Sequence, residues 1–285
     1  MVACKPGRRP TPSGLKVGDT WAMRRLLLLI GLMAATLIAL PVGAAAQDPE
    51  TAIINAQAES SLPAPPAPLF TPDPSYRPTP KQVYVARLIT RVGVFDRPGE
   101  AAPRRLLQPW IASTGNPVVL QVLERTVAAN GTGWLRVLLP SRPNGSSGWI
   151  NEANTIVSID PMRVRISLKR HTLSVYRKGR LVRRIGVALG ARATPTPKGR
   201  FSIYQEVREP WFSPLGPWAL HLTAHSNVLF EYAGGPGRVA IHGARGALWA
   251  EAGTNPSHGC IRVPDPGIGR ITALVRPGTP VDIVA

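Results

Sequence analysis

Apolar and polar residues alternate along much of the chain, and the alternation predicts β-strands. In RVRISLKR, which begins at Arg163, every second residue is apolar, and a period of two indicates a strand with one buried face. The segments YVARLITRVGVFDRP and PVVLQVLERT alternate in the same way further upstream. From residue 161 onward no sustained stripe of period 3.6 marks a long helix. The pattern therefore predicts a mainly β protein with short helices.

The strand pattern predicts two compact regions. Between residues 81 and 158 the short strands are separated by Asn-Gly pairs at 130 and 144, which are typical β-hairpin turns. This spacing favours a small antiparallel barrel. Between residues 161 and 285 the alternation is interrupted by prolines and resumes in RFSIYQEV, which favours a β-sandwich with short helices. That region is long enough to form one hydrophobic core.

Residues 24–46, RRLLLLIGLMAATLIALPVGAAA, have the layout of a secretory signal peptide. Two arginines precede an apolar run, a proline breaks the run, and three alanines offer the small residues that a signal peptidase accepts. The run is short for a bilayer span, so we expect cleavage after Ala46 in preference to an uncleaved membrane anchor. Residues 1–22 are an extended N-terminus, or Met23 is the true start. The sequence thus predicts an exported protein.

The exported part begins with a spacer and is strongly basic. Residues 47–80 are rich in proline and show no apolar period, as expected of a linker that buries no core. The whole chain has 34 Lys and Arg against 16 Asp and Glu, and residues 47–285 keep 28 and 15 of these, a net charge of +13. This charge suits an anionic surface such as a cell wall. The basic residues are scattered, which argues against a nucleic-acid partner.

Export would leave a single cysteine, Cys260, because cleavage after Ala46 removes Cys4. A lone cysteine forms no internal disulfide, so it pairs between chains, stays buried, or works as a thiol. Cys260 lies in PSHGCIRVP, beside a histidine and a glycine rather than in an aliphatic run. A neighbouring imidazole can take the thiol proton and leave a thiolate–imidazolium pair, which favours a catalytic role.

Two histidines could act as that base. His258 is two residues from Cys260, so in an extended segment both side chains would lie on one face. His242, in RVAIHG, would have to be brought in by the fold. Gly259 has no Cβ, so its amide and that of Cys260 could face a developing oxyanion. Local geometry alone does not choose between the two histidines.

The run from His242 through SHGCIR resembles the signature of the YkuD-type L,D-transpeptidases, a histidine followed after some fifteen residues by Ser/Thr-His-Gly-Cys. ATPTPKGRFSI, from Ala193, resembles a Thr-Pro-Thr-Pro motif of the same family. The resemblance spans residues 161–285 and implies a YkuD-type β-sandwich with Cys260 as nucleophile and His242 as base. It implies that Ser257, His258 and Gly259 support the nucleophile or its oxyanion. It implies that Arg262 and Gly243 lie near the substrate. Some members carry a serine at the position of Gly243, where it helps to orient the base.

In this family a cysteine attacks the peptidoglycan stem peptide after its third residue, expels the terminal D-Ala and holds the donor as a thioester. An amine of a second stem then forms a 3→3 cross-link. The resemblance implies this reaction, with peptidoglycan stem peptides as partners, no cofactor and no metal, in the bacterial periplasm or cell wall. An L,D-carboxypeptidase and a non-catalytic wall-binding protein are the alternatives. A zinc site formed by His242, His258 and Cys260 would lack a fourth ligand.

Two tryptophans suggest the type of the first region. Gly133-Trp134 and Gly148-Trp149-Ile150 resemble the tryptophan-bearing strands of bacterial SH3-like domains. The resemblance implies an SH3-like barrel over residues 81–158. For both tryptophans we expect core packing rather than stacking on a ligand.

Overall fold

The computed structural model describes residues 75–245, 251–265 and 267–285. The predicted signal peptide and most of the predicted linker lie outside the described residues. All described residues belong to one compact unit, Pro68–Ala285. Within these ranges no helix is long and apolar enough to cross a membrane.

The N-terminal lobe consists of seven short strands. In chain order they are β1 (Val83–Leu88), β2 (Val92–Val94), β3 (Arg105–Leu107), β4 (Val119–Val127), β5 (Gly133–Leu138), β6 (Ser147–Asn151) and β7 (Thr155–Asp160). Five of them form an antiparallel sheet in the order β6-β5-β4-β1-β7, and β2 pairs with β3. A 3-10 turn at Glu152–Asn154 precedes β7.

Both Asn-Gly pairs lie in hairpin turns, as the sequence predicts. Gly131 connects β4 to β5 with φ +82°, and Gly145 connects β5 to β6 with φ +84°. Glycine is favoured there because side chains crowd the backbone in this left-handed region. Trp134 packs edge-on against Phe95 and is 7% exposed, so its role in the lobe is one of packing.

The C-terminal lobe contains eight strands and a short helix. They are β8 (Met162–Ser167), β9 (Thr172–Arg177), β10 (Arg180–Gly186), β11 (Gly199–Arg208), β12 (Trp218–His225), β13 (Arg238–His242), β14 (Ile261–Arg262), α1 (Gly267–Thr272) and β15 (Pro280–Val284). The strand order is β10-β9-β8-β15-β11-β12-β13-β14. The pairs β8–β15 and β13–β14 are parallel. The mainly β fold with short helices agrees with the prediction.

The sheet of this lobe curls until its two ends meet. Ala188, just after β10, exchanges two backbone hydrogen bonds with Arg262 of β14, at 2.9 and 3.0 Å. The closed sheet surrounds one core, in which Val164 and Ile166 of the predicted β8 are fully buried while Arg165 between them is exposed. One face of the sheet is therefore apolar, and the opposite face carries the polar side chains.

Several side chains connect the two lobes, among them Asn144, Arg142 and Arg238. The Asn144 side chain donates to the carbonyl oxygen of His225 and accepts from its backbone N–H, both at 2.8 Å. Arg142 donates to the carbonyl oxygens of Ser226 (2.7 Å) and Leu229 (3.0 Å). Arg238 donates to Pro140 at 3.1 Å. The predicted turn at Asn144 thus also anchors the end of β12.

Candidate active site

His242 ends β13 with its side chain 3% exposed. Its Nδ1 is hydrogen-bonded to the backbone carbonyl oxygen of Gly243. A carbonyl only accepts, so Nδ1 carries the proton and Nε2 is left as an acceptor. Burial lowers the pKa of His242 to about 4, and the nearby charge of Arg262 contributes in the same direction. At neutral pH the imidazole is therefore an uncharged base.

The register between β13 and β14 brings Cys260 to the same face as His242. Ile241 pairs with Ile261, and His242 pairs with Arg262. Paired residues of adjacent strands share a face, and so do residues two apart along one strand. Cys260, two residues before Arg262, accordingly lies beside Ala240, and the hydrogen bond between the Ala240 backbone and the thiol agrees with this position. Strand pairing thus places on one face the two residues to which the resemblance assigns the roles of base and nucleophile.

The thiol is half-buried and uncharged at rest. Burial raises the pKa of Cys260, and this outweighs the Ala240 hydrogen bond and the Arg262 charge, which both lower it. Transfer of the thiol proton to an imidazole, which the sequence suggests, therefore belongs to the reaction and not to the resting protein. Burial disfavours the charged form of each partner, so at rest both the thiol and the imidazole are neutral.

Ser257 shapes the loop that presents Cys260. Its hydroxyl donates to the carbonyl oxygen of Cys260 at 2.6 Å and accepts from the Gly259 N–H at 3.1 Å. Gly259 has φ +116°, so glycine is needed for the bend itself. The expectation that the Gly259 amide faces an oxyanion is wrong, because Ser257 already uses that amide within the loop. Both residues support the nucleophile through its backbone.

The ATPTPKG motif braces the same loop. Thr194 donates to the carbonyl oxygen of Ser257 at 3.2 Å, and the hydroxyl of Thr196 accepts from the N–H of Gly190 at 2.9 Å. A Cβ at Gly190 would lie 2.9 Å from the Cα of Gly259, so the two backbones touch. The two sequence motifs are therefore one structural unit, although some sixty residues separate them.

His258 lies on the exposed side of the loop. Its Nδ1 is 3.2 Å from the hydroxyl of Tyr232, and the two rings are 4.9 Å apart. The bend at Gly259 means that the segment is not extended, which removes the reason for expecting His258 and Cys260 on one face. Its position at the rim suits contact with a ligand better than proton transfer to the thiol.

Gly243 and Arg262 differ in how closely they approach the reacting groups. Arg262 is 8% exposed and pairs with His242 across the strands, so its guanidinium charge acts on both the thiol and the imidazole. Gly243 has no room for a side chain, since a Cβ there would lie 2.5 Å from Oδ1 of Asp265 and 2.9 Å from the Cα of Gly216. Its own carbonyl group orients His242, which explains how this chain manages without a serine at that position.

His221 adjoins the site, although it lies outside the two sequence motifs. It pairs with Ala240 on the face that carries His242, and it is half-buried. Burial, with the charge of Arg238, lowers the pKa of His221, and the charge of His221 in turn lowers that of His242. The alternation in WALHLTAH was the available signal, because its leucines fill the core and leave the histidine on the opposite face.

Two loops with exposed aromatic side chains adjoin the site. In the β11–β12 loop, Trp211 is 85% and Phe212 72% exposed, and Arg245 donates to the carbonyl oxygen of Trp211 at 3.1 Å. In the β12–β13 loop, Phe230 is exposed near Tyr232. Such side chains are suited to line a groove for an extended substrate.

Comparison with known proteins identifies the domain that carries this site. Residues 161–283 match the YkuD family, described as the L,D-transpeptidase catalytic domain. The C-terminal lobe therefore resembles an L,D-transpeptidase catalytic domain, and the members of that family are cysteine-dependent acyltransferases that act on peptidoglycan.

Individual relatives bear the same description. The "Putative L,D-transpeptidase YkuD" of Bacillus licheniformis is 27% identical over 165 residues, which cover 55% of this chain and 91% of the relative. L,D-transpeptidase 1 of Mycobacterium tuberculosis is 29% identical over 125 residues, 41% of this chain and about half (48%) of the relative's length. A solved L,D-transpeptidase from Mycobacterium smegmatis aligns with 54% of this chain and 91% of its own, at 16% identity and a TM-score of 0.35.

Proposed function

We propose that the protein is a peptidoglycan L,D-transpeptidase that forms 3→3 cross-links, with Cys260 as nucleophile and His242 as general base. The observation that carries this proposal is the β13–β14 register, which puts both side chains on one face while Gly243 fixes the tautomer of the base. The family match of residues 161–283 supports it.

Acylation begins from the neutral pair. The sulfur of Cys260 attacks the carbonyl carbon of the third stem residue while Nε2 of His242 takes the thiol proton. The bond from that carbonyl to the nitrogen of the terminal D-Ala then breaks, and the imidazolium returns the proton to the leaving amine. The product is a thioester on Cys260, and D-Ala departs.

Transfer to the acceptor reverses these roles. The side-chain amine of a second stem attacks the thioester carbonyl, and His242 takes a proton from the attacking nitrogen. The new amide forms as the carbon–sulfur bond breaks, and the departing thiolate recovers the proton. The thioester keeps the reactivity of the broken amide bond, so no external energy source is needed.

Arg262 is the side chain placed to manage charge during these steps. Its guanidinium charge acts on both reacting groups, where it favours the developing thiolate and can donate two hydrogen bonds to a stem carboxylate. Ser257 and Gly259 hold the nucleophile loop, and His258 lies at the rim with Tyr232. Proton transfer requires none of these three.

Export and the SH3-like assignment complete the proposal. Cleavage after Ala46 would release a protein of net charge +13 into the periplasm or cell wall, where anionic polymers complement that charge. The antiparallel strands of the N-terminal lobe are compatible with an SH3-like barrel. Its contacts through Asn144 and Arg142 suggest that it braces the catalytic lobe.

The test is covalent labelling followed by product analysis. We expect a carbapenem to acylate the wild type once, with the adduct on Cys260 by mass spectrometry, and no adduct on Cys260→Ala. Tetrapeptide-bearing muropeptides should yield dimers. A wild type without adduct would overturn the enzyme assignment, and tripeptide monomers as sole product would indicate a carboxypeptidase.

A further inference from the structure

The segment of the C-terminal sheet formed by β8, β9 and β10 is strongly basic. Between Arg163 and Arg184, which covers β8, β9 and most of β10, the chain has nine Lys and Arg and no Asp or Glu. Much of the net charge of the protein is thus concentrated on three adjacent strands and the turns that connect them. The sequence interpretation treated the basic residues as scattered, but these nine lie within one continuous segment, residues 163–184.

Strand pairing aligns two of these arginines on one face. Arg165 of β8 pairs with Ser174 of β9, and Ser174 pairs with Arg184 of β10. Strands lie about 4.8 Å apart, so the two arginine backbones are about 10 Å apart with a small residue between them. Ser174 is 6% exposed, and its hydroxyl accepts from Nε of Arg184 at 3.4 Å. A cleft with a polar floor therefore separates the two guanidinium groups.

This cleft opens into a cavity of about 400 Å³. Lys169 and Arg170 add two more cations to its lining, and the hydroxyls of Ser167, Thr172 and Tyr176 face it. The chain end at Ala285 closes one side. The lining thus combines four cationic side chains with hydroxyl groups and the α-carboxylate of Ala285. The Ser167 hydroxyl donates to Ala285 at 3.3 Å, and none of the seven ion pairs found among the described residues joins this carboxylate to a basic side chain.

No acidic side chain neutralises these cations. Within the described part of the chain, none of the four basic side chains of the lining has a carboxylate oxygen within 4 Å. Asp282, opposite Arg165 on β15, pairs at 2.7 Å with Arg163 instead. Like charges held close together repel each other, and a bound anion would relieve that repulsion.

We propose that this cavity, which we call the basic cleft, binds a phosphate group of an anionic polymer or lipid. Arginine side chains grip phosphate oxygens through paired N–H donors, and hydroxyl groups complete such sites. Basic residues also protect the edge strands of sheets from pairing, but Arg165 lies on β8, the third strand from the edge. Protection of the sheet edge therefore explains the basic side chains of β10, but it does not explain Arg165. The proposal is independent of the catalytic assignment.

The experiment compares two double variants with equal charge loss. Arg165→Gln/Arg184→Gln removes both walls of the basic cleft, and Arg87→Gln/Arg91→Gln removes two exposed arginines of the N-terminal lobe. Inorganic phosphate and glycerol phosphate are titrated by NMR into the mature chain, residues 47–285. Vesicles of phosphatidylcholine with and without phosphatidylglycerol are tested by co-sedimentation.

We expect saturable phosphate binding that weakens about tenfold or more in the cleft variant, because two charge-assisted contacts are lost, and stays unchanged in the control. Sedimentation with phosphatidylglycerol vesicles would identify a lipid headgroup as the source. Binding of the soluble phosphates without sedimentation would exclude a lipid headgroup and leave the phosphate of a polymer. Equal loss in both variants, or no saturable binding by a folded wild type, would overturn the proposal.

Discussion

His242 is oriented by the residue that directly follows it, because its Nδ1 is hydrogen-bonded to the carbonyl oxygen of Gly243. A backbone carbonyl carries no charge, so it fixes the tautomer without raising basicity as strongly as a carboxylate would. Unlike a side chain, the backbone carbonyl of Gly243 also cannot rotate away from the imidazole. The position of the base consequently depends on how the backbone around Gly243 is packed.

Gly243→Ser should therefore damage both stability and catalysis. The new side chain would press on Asp265 and Gly216, and overpacking of this kind destabilises proteins by about 1–3 kcal/mol. We expect a lower midpoint in urea and a slower carbapenem acylation. Gly269→Ala is the control, since a Cβ there has open space. Full activity of Gly243→Ser would show that the backbone can yield without moving the base.

Acylation should have an unusual dependence on pH. The pKa of His242 is about 4 and that of Cys260 is raised, so the neutral pair persists through the physiological range. The rate constant for carbapenem acylation, measured by stopped flow, should be nearly flat from pH 6 to 8 and fall as His242 is protonated near pH 4. A rise with a midpoint between pH 6 and 7 would mean that the imidazole titrates normally.

His221→Ala should shift the acid limb of that profile. The charge of His221 is one of the influences that lower the pKa of His242. Removing it should move the midpoint of the limb to higher pH. A residue that only packs would change the rate at every pH and leave the midpoint in place, so the profile separates the two roles. His171→Ala, a substitution on the exposed turn before β9, serves as the comparison.

Ser257→Ala should slow acylation while the lobe stays folded. The substitution leaves the carbonyl of Cys260 and the amide of Gly259 without their partner, which costs about 1–3 kcal/mol for a buried group. We expect a loss of about tenfold or more in the acylation rate constant. Ser158→Ala, on the exposed face of β7, should leave it unchanged. Equal rates for both variants would remove Ser257 from the positioning of the nucleophile.

The free energy of unfolding should fall between pH 6.5 and pH 4. His225 and His242 have folded-state pKa values of about 4, both lowered chiefly by burial, against 6.5 for a free histidine. In this window the unfolded chain binds more protons than the folded chain, so the free energy of unfolding rises with pH. It levels off above pH 6.5, where both histidines are neutral in either state. Each histidine contributes about 1.4 kcal/mol per pH unit at most. Urea titrations at several pH values should show that the unfolding free energy of His225→Gln changes less with pH than that of the wild type. An unchanged dependence on pH would contradict the assignment.

Local pattern was enough to predict much of the fold. Alternation identified β8, and the Asn-Gly pairs identified two hairpins, because these signals depend on neighbours in sequence. The closure of the sheet at Ala188 and Arg262 depends on a pairing between residues 74 positions apart, which no local pattern encodes.

Some features of the candidate site could be predicted from the sequence, and others depend on the fold. The motif residues could be found from their spacing, and the resemblance selected His242 over His258. The neutral resting pair could not be predicted, since it results from burial that only the folded chain creates. The occupied amide of Gly259 and the position of His221 likewise follow from the bend and the register.

The contacts of Arg142 limit how this enzyme can be shortened. A catalytic lobe produced alone would lose the donor for the carbonyl oxygens of Ser226 and Leu229, at the base of the loop that leads to Tyr232. Tyr232 is the partner of His258, so looseness at that base would spread to the rim where a peptide enters. Activity measured on an isolated domain would then be lower than the activity of the full-length enzyme. Inhibitors selected on that domain would bind a differently shaped entrance to the site.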